Sequence, residues 1–575
     1  MNYLKPIYTE KGNCQDCYKC VRACPVKAIK VENGSATVIY ELCIVCGNCV
    51  DVCPSGAKKV RDDLGRARQL IKIKKRVIAS LAPSFVSEFQ GYSTNQIISA
   101  LKRLGFHGVS ETALGAQEVS ANAARRMNGS TGEILISTAC PTVVEYIRKY
   151  HPGSSPLLTN FLSPLLSHCR ILKKQYGEDT GIVFIGPCIS KKQEAGAHPE
   201  LLDAAITYND LRRWLSESEI SLDEFAAHGD ESFIPGRADE GALYPIEGGM
   251  SAGIRGNLQL VNNEFMNFSG ITNISHALDG LNDLKPEKNL FLELLACEGG
   301  CINGPQSADR CSTVLKKYNI MQYAPYPSEN IPRNPSISIE ENFGQPPVSK
   351  KSFSGAEIAG QLRDIGKISL KDELNCAGCG YNTCRDFAVS LLEGKSEKTM
   401  CVSYMRQLAQ KKANALIQTM PSGIVIVDDS MKIVESNANW AKLMGEEVEL
   451  LYEVKPGLEG AFLHKIIPFH KLFQNVIETG NDIVGKEINY NNAVLLFSIF
   501  TIEKHRFVGG IFRDITEPWV RKEQIINKAK QVIRKNLSTV QKIAYLLGEN
   551  AAETEVILNG IIESFSTDKI DDADE

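Results

Sequence analysis

The sequence predicts a multidomain protein of mixed α/β and α+β architecture, and three observations lead there. At 575 residues the chain is several times the size of one domain. Its central region alternates short β-rich runs with helical patterns, as an α/β domain does. Its last third carries alternating apolar residues and Asp-based turns, the mark of an antiparallel sheet. Hydrophobic content of 43% with 23% charged residues is ordinary for globular domains and supplies several cores.

A net charge of −4 gives no bulk attraction for nucleic acid or anionic membrane. The basic run Lys72, Lys74, Lys75 and Arg76 reads as a solvated face or a partner patch. Met1 to Glu10 holds no apolar leader segment, and the longest apolar run, Ala493 to Ile502, has the length of a buried strand. A membrane span needs roughly 20 apolar residues. The expectation is a soluble, cytoplasmic protein without membrane or nucleic-acid partners. The 18 cysteines, mostly in tight C-x2-C-type clusters of a long unsecreted chain, read as metal ligands in a reducing compartment, as in an anaerobe.

The first element is an internal repeat. Cys14, Cys17, Cys20 and Cys24 recur as Cys43, Cys46, Cys49 and Cys53, each run ending in proline (Pro25, Pro54). C-x2-C-x2-C-x3-C-P holds a 4Fe–4S cube, and in two-cluster ferredoxins the fourth cysteine of each run serves the other cube. That pattern gives one cluster Cys14, Cys17, Cys20 and Cys53, and the other Cys43, Cys46, Cys49 and Cys24. A pair of zinc sites is the alternative, for which the spacing is poor. Two such cubes form an electron wire.

In the central region strands are expected at Arg76–Leu81, Glu133–Ser137, Gly181–Ile185 and Leu290–Leu295. Three cysteine loops stand out there: Thr138-Ala139-Cys140-Pro141, Gly186-Pro187-Cys188-Ile189-Ser190-Lys191-Lys192, and Ala296-Cys297-Glu298-Gly299-Gly300-Cys301-Ile302-Asn303-Gly304. Following a two-cluster ferredoxin, they resemble the three signature segments of iron-only (FeFe) hydrogenases. The glycine pair of the third lets backbone approach a bulky inorganic group.

The resemblance implies an H-cluster: a 4Fe–4S cube joined to a two-iron unit with CO, cyanide and a dithiolate bridge. By position Cys140, Cys188, Cys297 and Cys301 match the cube ligands, and Cys301 the bridging thiolate. Lys191 matches the lysine that hydrogen-bonds an iron-bound cyanide. A plain cube without the two-iron unit is the alternative for the four cysteines. Ala139 stands where catalytic members carry a proton-relaying cysteine. Gly186 and Leu295 stand where methionine is common, and Glu298 where proline is. Glu298 is a weak candidate for a substitute relay, or simply solvated. Glu118 falls near the family's glutamate-containing proton path. These departures predict slow turnover.

A third motif, C-x2-C-x4-C-x16-C at Cys376, Cys379, Cys384 and Cys401, resembles a small iron–sulfur domain appended to anaerobic redox proteins, with zinc as the alternative. It would put redox clusters on both sides of the hydrogenase domain in sequence. Cys169, in an apolar helical context, and Cys311 remain as buried or incidental thiols, and His107 and His168 as structural histidines. The proline-rich passage Tyr323 to Val348 reads as a linker or a surface-hugging extension, and Gln407 to Met420 as a helix.

Ser422-Gly423-Ile424-Val425-Ile426-Val427-Asp428, Ile433 to Asn437, Trp440 and the closing run Val508 to Glu517 resemble a PAS domain. Its only histidines, His464, His470 and His505, leave a haem or flavin pocket open against a plain dimerisation platform, and its ligand is unknown. The following helix carries Ile525, Ile526, Val532, Ile533, Val540, Ile543 and Leu546 at a spacing that buries a stripe against another helix, quite naturally a second subunit's.

The resulting division is a two-cluster 4Fe–4S ferredoxin domain (1–65), an FeFe-hydrogenase H-cluster domain (66–348), an additional 4Fe–4S domain (349–412), a PAS sensor domain (413–518) and C-terminal signalling or dimerisation helices (519–575). The implied activity is slow, reversible proton reduction and hydrogen oxidation used for hydrogen or redox sensing. Implied partners are an electron carrier such as ferredoxin, hydrogenase maturation proteins, an unidentified signalling partner and a second copy of the chain as a homodimer. Two rivals stand: an electron-transfer or cluster-assembly protein with a cube and no two-iron unit, and a scaffold whose clusters only stiffen its domains.

Overall fold

The structure, a computed structural model, describes residues 5–257, 262–307, 312–324, 333–344, 348–349, 351–547 and 560. Cys311 and the C-terminal residues 548–559 and 561–575 lie outside them. The chain forms two compact units, Met1–Tyr404 and Met405–Glu575.

In the first unit, β1 (Ile7–Thr9) pairs antiparallel with β4 (Lys58–Val60), and β2 (Ile29–Glu32) with β3 (Ser35–Val38). One turn of helix follows each cysteine loop, Lys19–Ala23 and Asn48–Asp51. Beyond them come β5 (Val77–Leu81), β6 (Gly108–Glu111), β7 (Ile134–Ile136), β8 (Gly181–Gly186), β9 (Ala204–Thr207), β10 (Asn263–Ser269) and β11 (Asn289–Leu295). They make two parallel sheets, in the orders β6-β5-β8-β9 and β10-β11-β7. Every residue of β5, β8 and β11 is buried. Sheets covered on both faces need such largely apolar strands, which is why these three expected strands were readable as short apolar runs.

The proline-rich passage hugs the surface where it is described. Leu162 N–H donates to the Ile339 carbonyl at 2.7 Å, and Ile339 is buried. Residues 325–332 and 345–347 of that passage lie outside the description. Its expected start is corrected: Tyr323 ends the helix Thr313–Tyr323.

The third cysteine module folds back on the first. Its Leu362, Ile365, Tyr381, Phe387 and Met400 share one core with Val21, Ile29, Val31 and Ala36. Val31 N–H donates to the Lys395 carbonyl at 2.8 Å, and Asn33 N–H to Glu397 Oε1 at 2.7 Å. Although it follows the central domain in sequence, this module shares its apolar surface with the first one.

The second unit is an antiparallel five-stranded sheet of β12 (Gly423–Asp428), β13 (Ile433–Ser436), β14 (Ile483–Tyr490), β15 (Ala493–Glu503) and β16 (Phe507–Asp514), ordered β13-β12-β16-β15-β14. Trp440, Phe473, Phe497 and Phe512 fill its core. The run Ala493 to Ile502, expected as a buried strand, is only half-buried: Leu495, Phe497 and Ile499 face the core while the residues between them are partly exposed. The helix Val402–Thr419 runs unbroken through the expected boundary at 412/413, and the helix Thr516–Leu547 follows the sheet. Ile525 and Val532 on it are 54% and 48% exposed, while Val540, Ile543 and Leu546 of the expected stripe lie outside the described side chains. No helix among the described residues is long and apolar enough to cross a membrane.

Candidate active site

Three loops build the site, each at the carboxyl end of a parallel strand, where open α/β sheets place ligands. Cys140 follows β7 and caps the helix Pro141–Tyr150, with Pro141 supplying the fixed φ of a first turn. Cys188 follows β8, and Cys297 and Cys301 follow β11. The site therefore draws on both sheets. Gly300 takes φ 105°, and a Cβ there would lie 2.3 Å from the Pro245 carbonyl oxygen, so only glycine permits this turn.

The four thiols meet. Cys297 lies within electrostatic reach of Cys301, Cys188 and Cys140, and Cys301 of Cys140 and Cys188. Burial, then the neighbouring thiols, pushes Cys140, Cys297 and Cys301 upward. Cys140, Cys188, Cys301 and Lys191 line one cavity of about 100 Å³ whose other walls are mostly apolar: Ala82, Leu165, Phe184, Met250, Leu295 and Ala139 among them. Gly186, where methionine is common in the resembled family, has no room for one: a Cβ would meet Phe184 Cζ at 2.5 Å and Ala82 Cβ at 2.8 Å.

Lys191 is 8% exposed. Its ammonium donates to Ser163 Oγ at 3.0 Å and pairs with Glu194 at 2.9 Å. Burial works against the charge, but the Glu194 carboxylate and the Cys188 sulfur outweigh it and hold Lys191 above the usual lysine value. A fixed cation therefore faces an apolar cavity ringed by thiols.

The weak relay candidate Glu298 is exposed and does not line this cavity, which fits its solvated reading. Glu118 is buried but occupied: it accepts from Ser336 N–H at 2.7 Å, Ser336 Oγ at 2.8 Å and Ile337 N–H at 3.0 Å. It anchors the surface-hugging segment. Cys169 is fully buried, as expected. His168 is buried between Ser80 Oγ and Ser110 Oγ, each at 2.8 Å, while His107 is exposed.

Sequence reasoning missed Glu293. It is 1% exposed in β11, accepts from Gly248 N–H at 3.0 Å and Ser251 N–H at 2.9 Å, and burial pushes it up to about 7. It lies within electrostatic reach of Cys301. A lone carboxylate inside the apolar run Leu292-Glu293-Leu294-Leu295 was the available signal.

The repeat's thiols group crosswise. Cys20 is within reach of Cys14, Cys17 and Cys53, and Cys49 of Cys46, Cys24 and Cys43. The second group adjoins the cavity site, since Cys297 also feels Cys46, and Gly47 abuts Pro305 so closely that a Cβ would lie 2.5 Å away. In the third module Cys379 is within reach of Cys376 and Cys401, and Cys384 begins the helix Cys384–Leu392. Among the described residues no three Cys, His, Asp or Glu side chains close on the point a single ion would need. All-thiol sets are the donors that iron–sulfur clusters take.

Residues 75–305 match the family described as iron only hydrogenase large subunit, C-terminal domain. The middle of the chain is similar to iron-only hydrogenases. Residues 6–63 match the 4Fe-4S dicluster domain, and residues 372–403 a small Fe-S cluster family. The NADP-reducing hydrogenase subunit HndD of Solidesulfovibrio fructosivorans is 26% identical over 60% of this chain and 73% of its own length. Iron hydrogenase 1 of Clostridium pasteurianum is 25% identical over 52% of this chain and 64% of its own. The cytosolic Fe-S cluster assembly factor NAR1 of Yarrowia lipolytica is 24% identical over 31% of this chain and 44% of its own. The chain is a hydrogenase-like iron–sulfur protein.

Proposed function

We propose that the chain is an FeFe hydrogenase of low turnover that reduces protons and oxidises hydrogen reversibly, in the service of hydrogen or redox sensing. The observation that carries this is the convergence of Cys140, Cys188 and Cys301 with the Lys191 ammonium on one apolar cavity. Cys140, Cys188, Cys297 and Cys301 would hold a cube, Cys301 would bridge to a two-iron unit, and that unit would supply the hydrogen chemistry. The chain's residues do the rest. Lys191, kept cationic by Glu194, offers a compact donor to an anionic ligand. Apolar walls exclude water and strengthen that contact. Ala139 cannot carry a proton, so delivery is slow.

Three further clusters are proposed: one on Cys14, Cys17, Cys20 and Cys53, one on Cys43, Cys46, Cys49 and Cys24, and one on Cys376, Cys379, Cys384 and Cys401. They would exchange electrons with a carrier such as ferredoxin. Loading of the two-iron unit would need maturation proteins. The second unit is proposed as a PAS module of unknown ligand; its sheet order and the resemblance of its motifs support that. Exposed Ile525 and Val532 support a homodimer through the last helix, and a separate signalling partner would read it. The five-domain division and a cytoplasmic location belong to the same proposal.

A second reading has its own support: similarity to cluster assembly factors, together with Ala139, fits a cube-only electron-transfer or assembly protein. Hydrogen–deuterium exchange and viologen-driven hydrogen evolution by anaerobically matured protein separate the two. Activity lost in Cys301→Ala supports the hydrogenase reading, whereas complete inactivity of fully matured wild type contradicts it.

A further inference from the structure

Beyond their shared core, the third cysteine module meets the first cysteine repeat through the Lys27 side chain. Its ammonium donates to the carbonyls of Val21 at 3.1 Å, Arg22 at 3.2 Å and Gly380 at 2.9 Å. All three protons of the ammonium are thereby used. Val21 and Arg22 belong to the short helix Lys19–Ala23, which carries Cys20 and leads to Cys24. Gly380 is the residue after Cys379. It takes φ 94°, and a Cβ there would lie 2.9 Å from Val21 Cγ1, so the two loops are in direct contact.

At its other end Lys27 belongs to the Cys24 loop. The backbone N–H groups of Val26, Lys27 and Ala28 point at the Cys24 sulfur, with Ala28 N 3.2 Å away. A continuous path therefore runs from Cys24 Sγ through the Lys27 backbone and side chain to the Gly380 carbonyl and Cys379. Cys24 groups with Cys43, Cys46 and Cys49, the set that adjoins Cys297. Burial, foremost, and Arg22 work against the Lys27 charge, while Cys24, Asp386 and Cys379 favour it; the net effect holds Lys27 below the usual lysine value.

We propose that the third cysteine site is an electron branch off the inner repeat cluster, and that Lys27 is the charged joint between them. This rests on the reading that both sites hold 4Fe–4S clusters. One electron passes from one cube to the other, oxidising the first and reducing the second, with no bond made or broken. A hydrogen-oxidising site supplies such electrons. A fixed positive charge between two clusters favours the reduced state of each, so Lys27 raises both reduction potentials, since net charge near a cluster sets its potential. The third site then takes electrons from the centre of the wire instead of its end.

The test is a potentiometric titration followed by EPR on the full chain with its clusters loaded, as wild type, K27R and K27Q. K27Q lowers two midpoint potentials at unchanged iron and sulfide content, and K27R leaves both near wild type. Unmoved midpoints, a shift in one cluster only, or an equal shift in K27R overturns the proposal. Should K27Q load poorly, wild type decides alone. The signal lost in C376S is broadened by a neighbouring spin in fully reduced wild type, and an isolated, unbroadened signal overturns the proposal. Iron content separates the two levels: a C376S variant with undiminished iron sinks the cluster reading itself, and the branch with it.

Discussion

The Lys191 ammonium lies 2.9 Å from the Glu194 carboxylate, one helical turn along, and each side chain is 11% exposed. Lys191 lines the cavity that Cys140, Cys188 and Cys301 also line, and Glu194 stands behind it. Removing one partner of a buried ion pair leaves an uncompensated charge. Glu194→Gln should therefore destabilise the first unit by about 3 kcal/mol, read by urea denaturation, while the double change K191M/E194M recovers much of that loss. A loss under ~1 kcal/mol for the single change would show that solvent screens the pair.

Ala139 lines the same cavity with a methyl group. Positioned proton transfer contributes on the order of a hundredfold or more to rate. Ala139→Cys in matured protein should raise viologen-driven hydrogen evolution by about that factor, without changing iron content. An unchanged rate would mean that protons already reach the site by another path.

Much of this site was legible in the sequence because ligand loops sit at strand ends, and buried parallel strands read as short apolar runs. Cys140, Cys188, Cys297, Cys301 and Lys191 come together as their loops implied. The contact of Lys27 with Gly380 was not legible, because it joins segments more than 350 residues apart through a shared core that no local pattern encodes. The contacts of Glu118 were not legible either: its partners Ser336 and Ile337 lie in a passage whose path sequence leaves open. Glu298 shows the limit of adjacency, since a neighbour of Cys297 in sequence faces solvent.

Glu293 gives a pH dependence with a definite sign. Its carboxyl is pushed from 4.5 to about 7 by burial, so the folded chain binds its proton more tightly than the unfolded one. Its contribution to stability is therefore full at low pH and falls as pH rises through that window. Glu293→Gln removes the ionisation and should flatten this slope, while its single carbonyl oxygen can accept from only one of the Gly248 and Ser251 N–H groups. As pH rises through that range, the thermal stability of the wild type should fall relative to that of the Gln variant. Parallel profiles would place the ionisation elsewhere.

Glu118 accepts three hydrogen bonds from Ser336 and Ile337. Glu118→Ala should free residues 333–344, and limited proteolysis should cut there at least tenfold faster, since bonds to a charged acceptor are each worth about 1.5–3 kcal/mol. The iron content should stay at the wild-type level. Loss of iron with no new cleavage would assign Glu118 to the site instead of to the segment.

The most direct test of the account is an infrared spectrum of the anaerobically matured full chain, in the region where iron-bound carbonyl and cyanide absorb. Sharp bands that respond to hydrogen, with the cyanide bands shifted in Lys191→Met, are the predicted result. A blank spectrum from protein of full iron content and proven maturation would contradict the hydrogenase assignment and leave the cube-only reading in its place.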